Sequence, residues 1–425
     1  MHFVKLLLFI FAILSHDVVS IDFQPVTVVL PITKDTKTSL YKVVLTIWSL
    51  TTNSTYLLDL DAPFIWKQCI NMPIHKPYKY CQDQYDCYDG LYCKSSSCID
   101  AKSYEISPNC PSLNNITAKY GCICPVTPVN PVTKVCKISQ LTTKELILPL
   151  TDGRNPTLSQ LSNWYYLFSC APSSLLRSMP KGVTGVAAFS WSNLAFPRQL
   201  TYPKPTQQFA LCLPTSASAP GVTFIGDGPF YFLPFPNLDI KSILSYTPMI
   251  RKSSKSLGYY VTINKISIKR KPIPLFKNIS AKLSTLVPYT TLRSDIYAAL
   301  LKSFSMSIKN IHRVNTTKPF GLCMKASDIA SRSSKFSVPN IDLEMESGKI
   351  WTISKDNSIK EMGNGVACLA FVDGGLHVDD AIVIGTFQME NNFLFFDLAN
   401  QKFWFSSSLL ARGTSCSSFN TTVIG

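Results

Sequence analysis

The sequence predicts an all-β protein of two lobes, with a disulfide-rich insert in the first lobe. Three observations carry that reading. Short β-branched and aromatic runs bounded by Pro, Gly, Asn and Asp recur along the chain. The two halves share one outline of strands, a turn-bearing stretch, a helix and a late hydrophobic strand ending in Gly, although no literal repeat is visible. Between residues 69 and 136 this pattern gives way to Cys, Tyr, Pro and Asn, the composition of a stapled, loop-rich segment.

The elements follow in order. Residues 1–20 read as a secretory leader, with Lys5 as its positive start and an apolar run over 6–14 too short to span a bilayer. Val18 and Ser20 are small enough for cleavage after Ser20. The runs 27–31 (TVVLP) and 41–48 (YKVVLTIW), joined by DTKTS, read as a hairpin. The stretch 56–66 (YLLDLDAPFIW) then delivers a carboxylate, Asp59, from an apolar strand into a turn. After the insert, strands are expected at 165–169, 209–213 and 222–226, with a short helix over 172–180 capped by Ser173 or Ser174. A Pro-rich hinge is expected at 234–243. The lobes therefore divide as 21–240 and 241–425. Strands at 246–250, 259–268 and 283–291 follow, then a helix over 294–304 with Ile296, Ala299, Leu300 and Phe304 inward.

With 425 residues, 46% of them apolar, the chain can bury a large core. Its 14 cysteines (Cys69, Cys81, Cys87, Cys93, Cys98, Cys110, Cys122, Cys124, Cys136, Cys170, Cys212, Cys323, Cys368 and Cys416) fit an oxidising compartment, and spacing leaves their pairing open. Sequons at Asn53, Asn115, Asn278, Asn315 and Asn420 are available for glycosylation. The expected location is the extracellular space or cell wall, with the vacuole as the alternative. A net charge of +15 favours acidic partners, acidic polysaccharide among them. No basic helix or aromatic-interleaved RNA motif points to nucleic acid, and no later run suits a membrane helix.

Motifs for catalysis are sparse. His75, His312 and His377 are dispersed and no HExxH occurs, so no metal or other cofactor is expected. Neither G-x-S-x-G nor a phosphate loop is present. Asp59 and Asp61 lie two apart on one strand, a poor geometry for two carboxylates converging on one water. The stretch 281–292 (AKLSTLVPYTTL) has the outline of 56–66 without an acid.

The residues also carry a resemblance. VVLPITKD at 28–35, DLDAPFIWKQC at 59–69, FSCAPSSLL at 168–176, FALCLP at 209–214, FIGDGPF at 224–230, YTPM at 246–249, LSTLVPYTTL at 283–292, PFGLC at 319–323, CLAFVDGG at 368–375, IVIG at 382–385 and FFDLANQKFWFSSSLL at 395–410 occur in family order. The chain resembles the pepsin-like aspartic protease family. Within it the similarity is to the plant branch of inactive relatives: xylanase inhibitors, xyloglucan endoglucanase inhibitors, basic 7S globulin and extracellular dermal glycoprotein. The resemblance implies two β-lobes around a cleft, with the Cys-rich region standing where active members carry a flap.

Active members of that family supply one Asp from each lobe through Asp-Thr/Ser-Gly loops. Here the first loop reads Asp59-Leu60-Asp61-Ala62 and the second Leu283-Ser284-Thr285-Leu286, with Leu283 replacing the acid. The resemblance thus implies a lost dyad and an inhibitor that presents a basic side chain to the catalytic acids of a glycoside hydrolase. The loop LLARGTSC at 409–416 lacks the His of the xylanase-inhibitor type. Arg412 in that loop and Arg313 in IHRVNTTKPFG are the candidate inhibitory residues, and a xyloglucan endoglucanase is the expected target ahead of a xylanase. An atypical active endopeptidase and a 7S-type storage or peptide-binding glycoprotein are the alternatives.

Overall fold

The alternation in Tyr41–Ile47 sets the scheme for the first half. Tyr41, Val43, Leu45 and Ile47 are buried while Lys42, Val44 and Thr46 are half-buried, as a strand in a packed sheet requires. It pairs antiparallel with Thr27–Lys34, Ile32 facing Val43, to form the expected hairpin. Asp35 closes the turn by accepting from the Thr38 N–H and hydroxyl. The computed structural model describes residues 27–47, 52–69, 91–104, 109–113, 124–200, 207–274, 278–329 and 338–421. The leader, Cys81, Cys87, Cys122 and Asn115 lie outside the described residues.

Among the described residues the largest sheet has thirteen strands. Thr27–Lys34 lies between Tyr41–Ile47 and Gly221–Ile225, and the latter pairs with Gln208–Cys212. There the end of the chain joins: Phe393–Asp397 pairs with Gln208–Cys212, followed by Lys402–Phe405 and Ser245–Pro248. Phe209 and Phe396 stack across this seam with ring centroids 4.5 Å apart. A second, eight-stranded sheet is built from the later half around Tyr259–Ile268, whose limits match the expected strand.

The halves repeat more closely than their sequences. Thr52–Asp59 pairs parallel with Val183–Ala188, which pairs antiparallel with Ile65–Gln68, which pairs parallel with Pro156–Ala171. In the second half Ile279–Leu283 pairs parallel with Ile382–Ile384, which pairs antiparallel with Thr290–Leu292, which pairs parallel with Phe371–Asp373. Each unit holds one loop between its first two strands, residues 60–64 and 284–289. The strand expected over 283–291 is therefore two strands and a loop, because Pro288 cannot donate to a ladder.

Other differences have local causes. Residues 172–180 hold only a 3₁₀ turn, Ser173–Leu176, without a side-chain cap. The expected hinge folds into a strand, Phe235–Asp239, and a 3₁₀ turn, Ile240–Ile243, capped by Asp239 accepting from the Lys241 N–H. The strand read at 165–169 is the end of a long hairpin, Ser139–Thr151 with Pro156–Ala171. The helix Ser294–Ser307 buries Ile296, Tyr297, Leu300 and Phe304 and leaves Ala299 partly covered.

Disulfides join Cys69 to Cys170, Cys98 to Cys124, Cys110 to Cys136, Cys212 to Cys416 and Cys323 to Cys368. Cys93 is half-buried ahead of the helix Ser96–Ser103. Asn53, Asn278, Asn315 and Asn420 are exposed. No helix among the described residues is long and apolar enough to cross a membrane.

Candidate functional site: the cleft floor and the C-terminal loop

Asp59 ends its strand beneath a pocket of about 150 Å³ lined by Asp61, Phe64, Trp66, Lys134, Leu257 and Leu286 among others. It is 3% exposed, and its Oδ1 accepts a hydrogen bond from the Asp61 N–H at 2.8 Å. Burial pushes its carboxyl up to about 7, and the Asp61 charge adds to this. The Asp61 N–H, Lys134 and Lys282 act in the opposite direction without cancelling it. Among the described residues no Lys, Arg or His pairs with Asp59.

Asp61 instead turns to the other half of the chain and forms an ion pair with Lys282. Desolvation works to lower the Lys282 amine, yet the Asp61 charge and hydrogen bond hold it above the ordinary lysine range. The approach is close: a Cβ added at Gly258 would meet Lys282 Cε at 2.8 Å and Asp61 Oδ1 at 3.1 Å. Asp59 and Asp61 thus do not act as a converging pair, in agreement with the spacing argument.

Leu283 is the expected counterpart of Asp59 in the second half. Leu283 is 1% exposed and belongs to the core. Counting along the repeated strand units makes Ser284 the position equivalent to Asp59. Trp66 faces Val186 seven residues past Asp59, and Thr291 faces Val383 seven residues past Ser284. Just as the Asp61 N–H donates to Asp59, the Leu286 N–H donates to Ser284 Oγ at 3.2 Å. Thr285 then crosses between the halves, its hydroxyl donating to the carbonyl of Leu58, next to Asp59, at 2.8 Å. A sequence signal was present: Pro63 and Phe64 follow Asp59 by the same steps as Pro288 and Tyr289 follow Ser284.

The end of the Cys-rich region forms one pocket wall. Trp66 Nε1 donates to the Val129 carbonyl at 3.0 Å. The fully buried Asn130 amide donates to the carbonyls of Leu175 and Arg177, both at 2.7 Å, and its Oδ1 accepts from Val132 and Thr133. This anchor sets Pro131 and Lys134 over the cleft floor. Lys134 and Lys282 were not singled out from sequence, because each acquires its role from strands distant in the chain.

Arg412 and Arg313 are both exposed but stand on different elements. Arg412 ends the 3₁₀ turn Leu409–Arg412, and Gly413 follows at φ +76°, a conformation that favours glycine. The loop is held by the Cys212–Cys416 bridge, by Thr414 Oγ1 donating to the Leu233 carbonyl at 2.5 Å, and by the Cys416 N–H on Asn391 Oδ1 at 3.0 Å. Arg313 lies in the short strand Arg313–Val314, and its Nη2 donates to the Ser305 carbonyl at 3.1 Å.

Comparison with known proteins identifies the family of this fold. The family models described as xylanase inhibitor N-terminal and xylanase inhibitor C-terminal match residues 41–227 and 258–407. The chain is 32% identical to a protein named Chitinase CLP from Oryza sativa subsp. japonica, over 92% of this chain and 91% of that one. It is also 32% identical to Gamma conglutin 1 of Prunus dulcis, over 93% and 90%. The crystal structure of edgp matches it with a TM-score of 0.79 at 30% identity, covering 95% of this chain and all of that one. With two β units around an Asp59 cleft and this end-to-end match, the chain belongs to the xylanase-inhibitor family of the pepsin-like fold.

Proposed function

We propose that the protein is a secreted, non-proteolytic member of its family that binds and inhibits a glycoside hydrolase, a xyloglucan endoglucanase ahead of a xylanase. The observation that supports the non-proteolytic part is the strand repeat, which makes Ser284 the position equivalent to Asp59. Peptide hydrolysis on this fold needs two carboxylates that share a proton and activate a water. A serine hydroxyl cannot share that proton, and Asp61 is engaged with Lys282. The atypical-protease reading therefore lacks a second acid.

Arg412 supports the inhibitory part. It is an exposed cation on a loop fixed at both sides. Glycoside hydrolases carry two carboxylates about 5–10 Å apart in a cleft, and a guanidinium bridges such a pair with charge-assisted hydrogen bonds. A pre-fixed loop loses little entropy on docking. The absence of His in 409–416 favours the endoglucanase over the xylanase. Arg313 is the second candidate, from a separate surface element. The lobe boundary at 240/241 remains part of the same proposal, as do the extracellular location and glycosylation.

The experiment is an inhibition and binding panel of purified protein against xyloglucan endoglucanases and xylanases, with Arg412→Ala and Arg313→Ala alongside. Inhibition weakened at least tenfold by Arg412→Ala supports the reading. Full inhibition by both variants removes these residues from the site. Similarity to Gamma conglutin 1 gives the peptide-binding or storage reading its support, and capture of peptides with no hydrolase bound would favour it. The rice relative is named a chitinase, so chitin hydrolysis belongs in the same panel.

A further inference from the structure

The pocket over Asp59 has no part in that inhibitory reading, yet it is a built cavity with a buried acid on its floor. Its volume of about 150 Å³ is comparable to cavities that admit a benzene ring. Phe64, Trp66, Leu257 and Leu286 give it apolar walls. Asp59 carries the Asp61 N–H on one oxygen and has no counter-cation among the described residues. Lys282, the cation on the opposite strand, is already engaged by Asp61, and Lys134 lies exposed at the rim without pairing to Asp59. A neutral ligand would leave the buried carboxylate without an opposite charge. An ammonium group would give it a charge-assisted hydrogen bond and would lie against the aromatic wall.

We propose that this pocket binds a primary ammonium on a short apolar stem of about five to eight heavy atoms, an alkyl- or arylammonium. The ammonium is held by Asp59 and the stem by Phe64, Trp66 and Leu286. Two sources offer this chemistry, a free amine and a lysine side chain of another protein.

Binding requires the Asp59 carboxylate. The charged groups facing it are Asp61 from the loop after its own strand, Lys134 from the end of the Cys-rich region and Lys282 from the strand of the other half. Because burial holds its carboxyl at about 7, ligand binding near pH 6.5 releases a proton, and affinity falls as pH drops below 7. Between pH 8.5 and 5.5 the loss is roughly 30-fold.

The test is calorimetric titration of the whole protein with benzylamine, N-acetyl-lysine methylamide and benzyl alcohol at pH 8.5 and 5.5, repeated at pH 6.5 in two buffers of different ionisation heat. The expected result is saturable benzylamine binding at pH 8.5, at least tenfold tighter than benzyl alcohol. It should weaken roughly 30-fold at pH 5.5 and be accompanied by proton release at pH 6.5. Asp59→Asn should lose the preference for amine over alcohol. Leu286→Trp, which fills the pocket and leaves the acid in place, should lose both ligands. Binding of N-acetyl-lysine methylamide identifies a lysine side chain as a ligand, and binding of benzylamine alone identifies a free amine. Failure of both amines to bind at 10 mM overturns the proposal, as does equal affinity for benzylamine and benzyl alcohol at pH 8.5. Binding that Asp59→Asn leaves unchanged overturns it too.

Discussion

Replacing Asp59 by Asn should stabilise the protein, and by an amount that grows with pH. The native carboxyl titrates near 7 because burial disfavours its charge, with Asp61 adding to that effect. In the unfolded chain it titrates near the usual value of about 4. Between those values the native state holds a proton that the unfolded state has lost, so this group makes stability fall as pH rises, by about 1.4 kcal/mol per unit. Three units of difference correspond to about 4 kcal/mol above pH 7 and to almost nothing below pH 4. Asparagine keeps an oxygen for the Asp61 N–H, so the comparison isolates the charge. Urea unfolding of both proteins from pH 4 to pH 8.5 gives the difference curve, in which other titrations cancel. A difference that climbs from pH 4 and levels above pH 7 is expected. A flat difference between pH 5 and pH 8 would mean an ordinary, solvated carboxylate and would refute the description of the cleft floor.

Lys282→Met should move the midpoint of that curve above 7, since Lys282 acts to lower Asp59. It should also cost about 1 kcal/mol at neutral pH through the half-exposed Asp61 pair, which the same denaturation series reads. Glu390 is 2% exposed and accepts from Lys34 at 2.5 Å and from the Tyr41 hydroxyl at 2.8 Å. Glu390→Gln leaves that lysine opposite a neutral amide and should destabilise the protein at pH 7 in urea unfolding, by less than the roughly 3 kcal/mol of a broken buried pair because burial raises the Glu390 carboxyl, and a gain in stability would contradict a pair that holds Lys34. Removing the Cys212–Cys416 bridge by paired alanines should cost about 4 kcal/mol, and it should also loosen the Arg412 loop, raising its proteolytic susceptibility before global unfolding.

What could be read from the sequence divides along a physical line. Tyr41–Ile47 is legible because its alternation is local, and Tyr259–Ile268 because it is a nearly continuous β-branched and aromatic run. Ser139–Thr151 is not, since its apolar residues are interrupted by Lys144 and Glu145 and its order comes from pairing with Pro156–Ala171. Asp59 stood out as an acid in an apolar run. Its counterpart is harder to place between Leu283 and Ser284, because the run KLST has no register until Ile382–Ile384 pairs with it. The Asp61–Lys282 pair spans 221 positions, and no local pattern signals it. The five bridges likewise needed the fold, as spacing alone permits many pairings.

The proposed function joins a cleft without proteolysis to a C-terminal loop that acts against a glycoside hydrolase. One paired measurement tests both directly: purified protein titrated into xyloglucan endoglucanase, with casein digestion at pH 3–6 run in parallel. The expected result is stoichiometric loss of endoglucanase activity, relieved at least tenfold by Arg412→Ala, and no cleavage of casein. Pepstatin-sensitive casein cleavage that disappears in Asp59→Asn, with endoglucanase activity untouched, would contradict it.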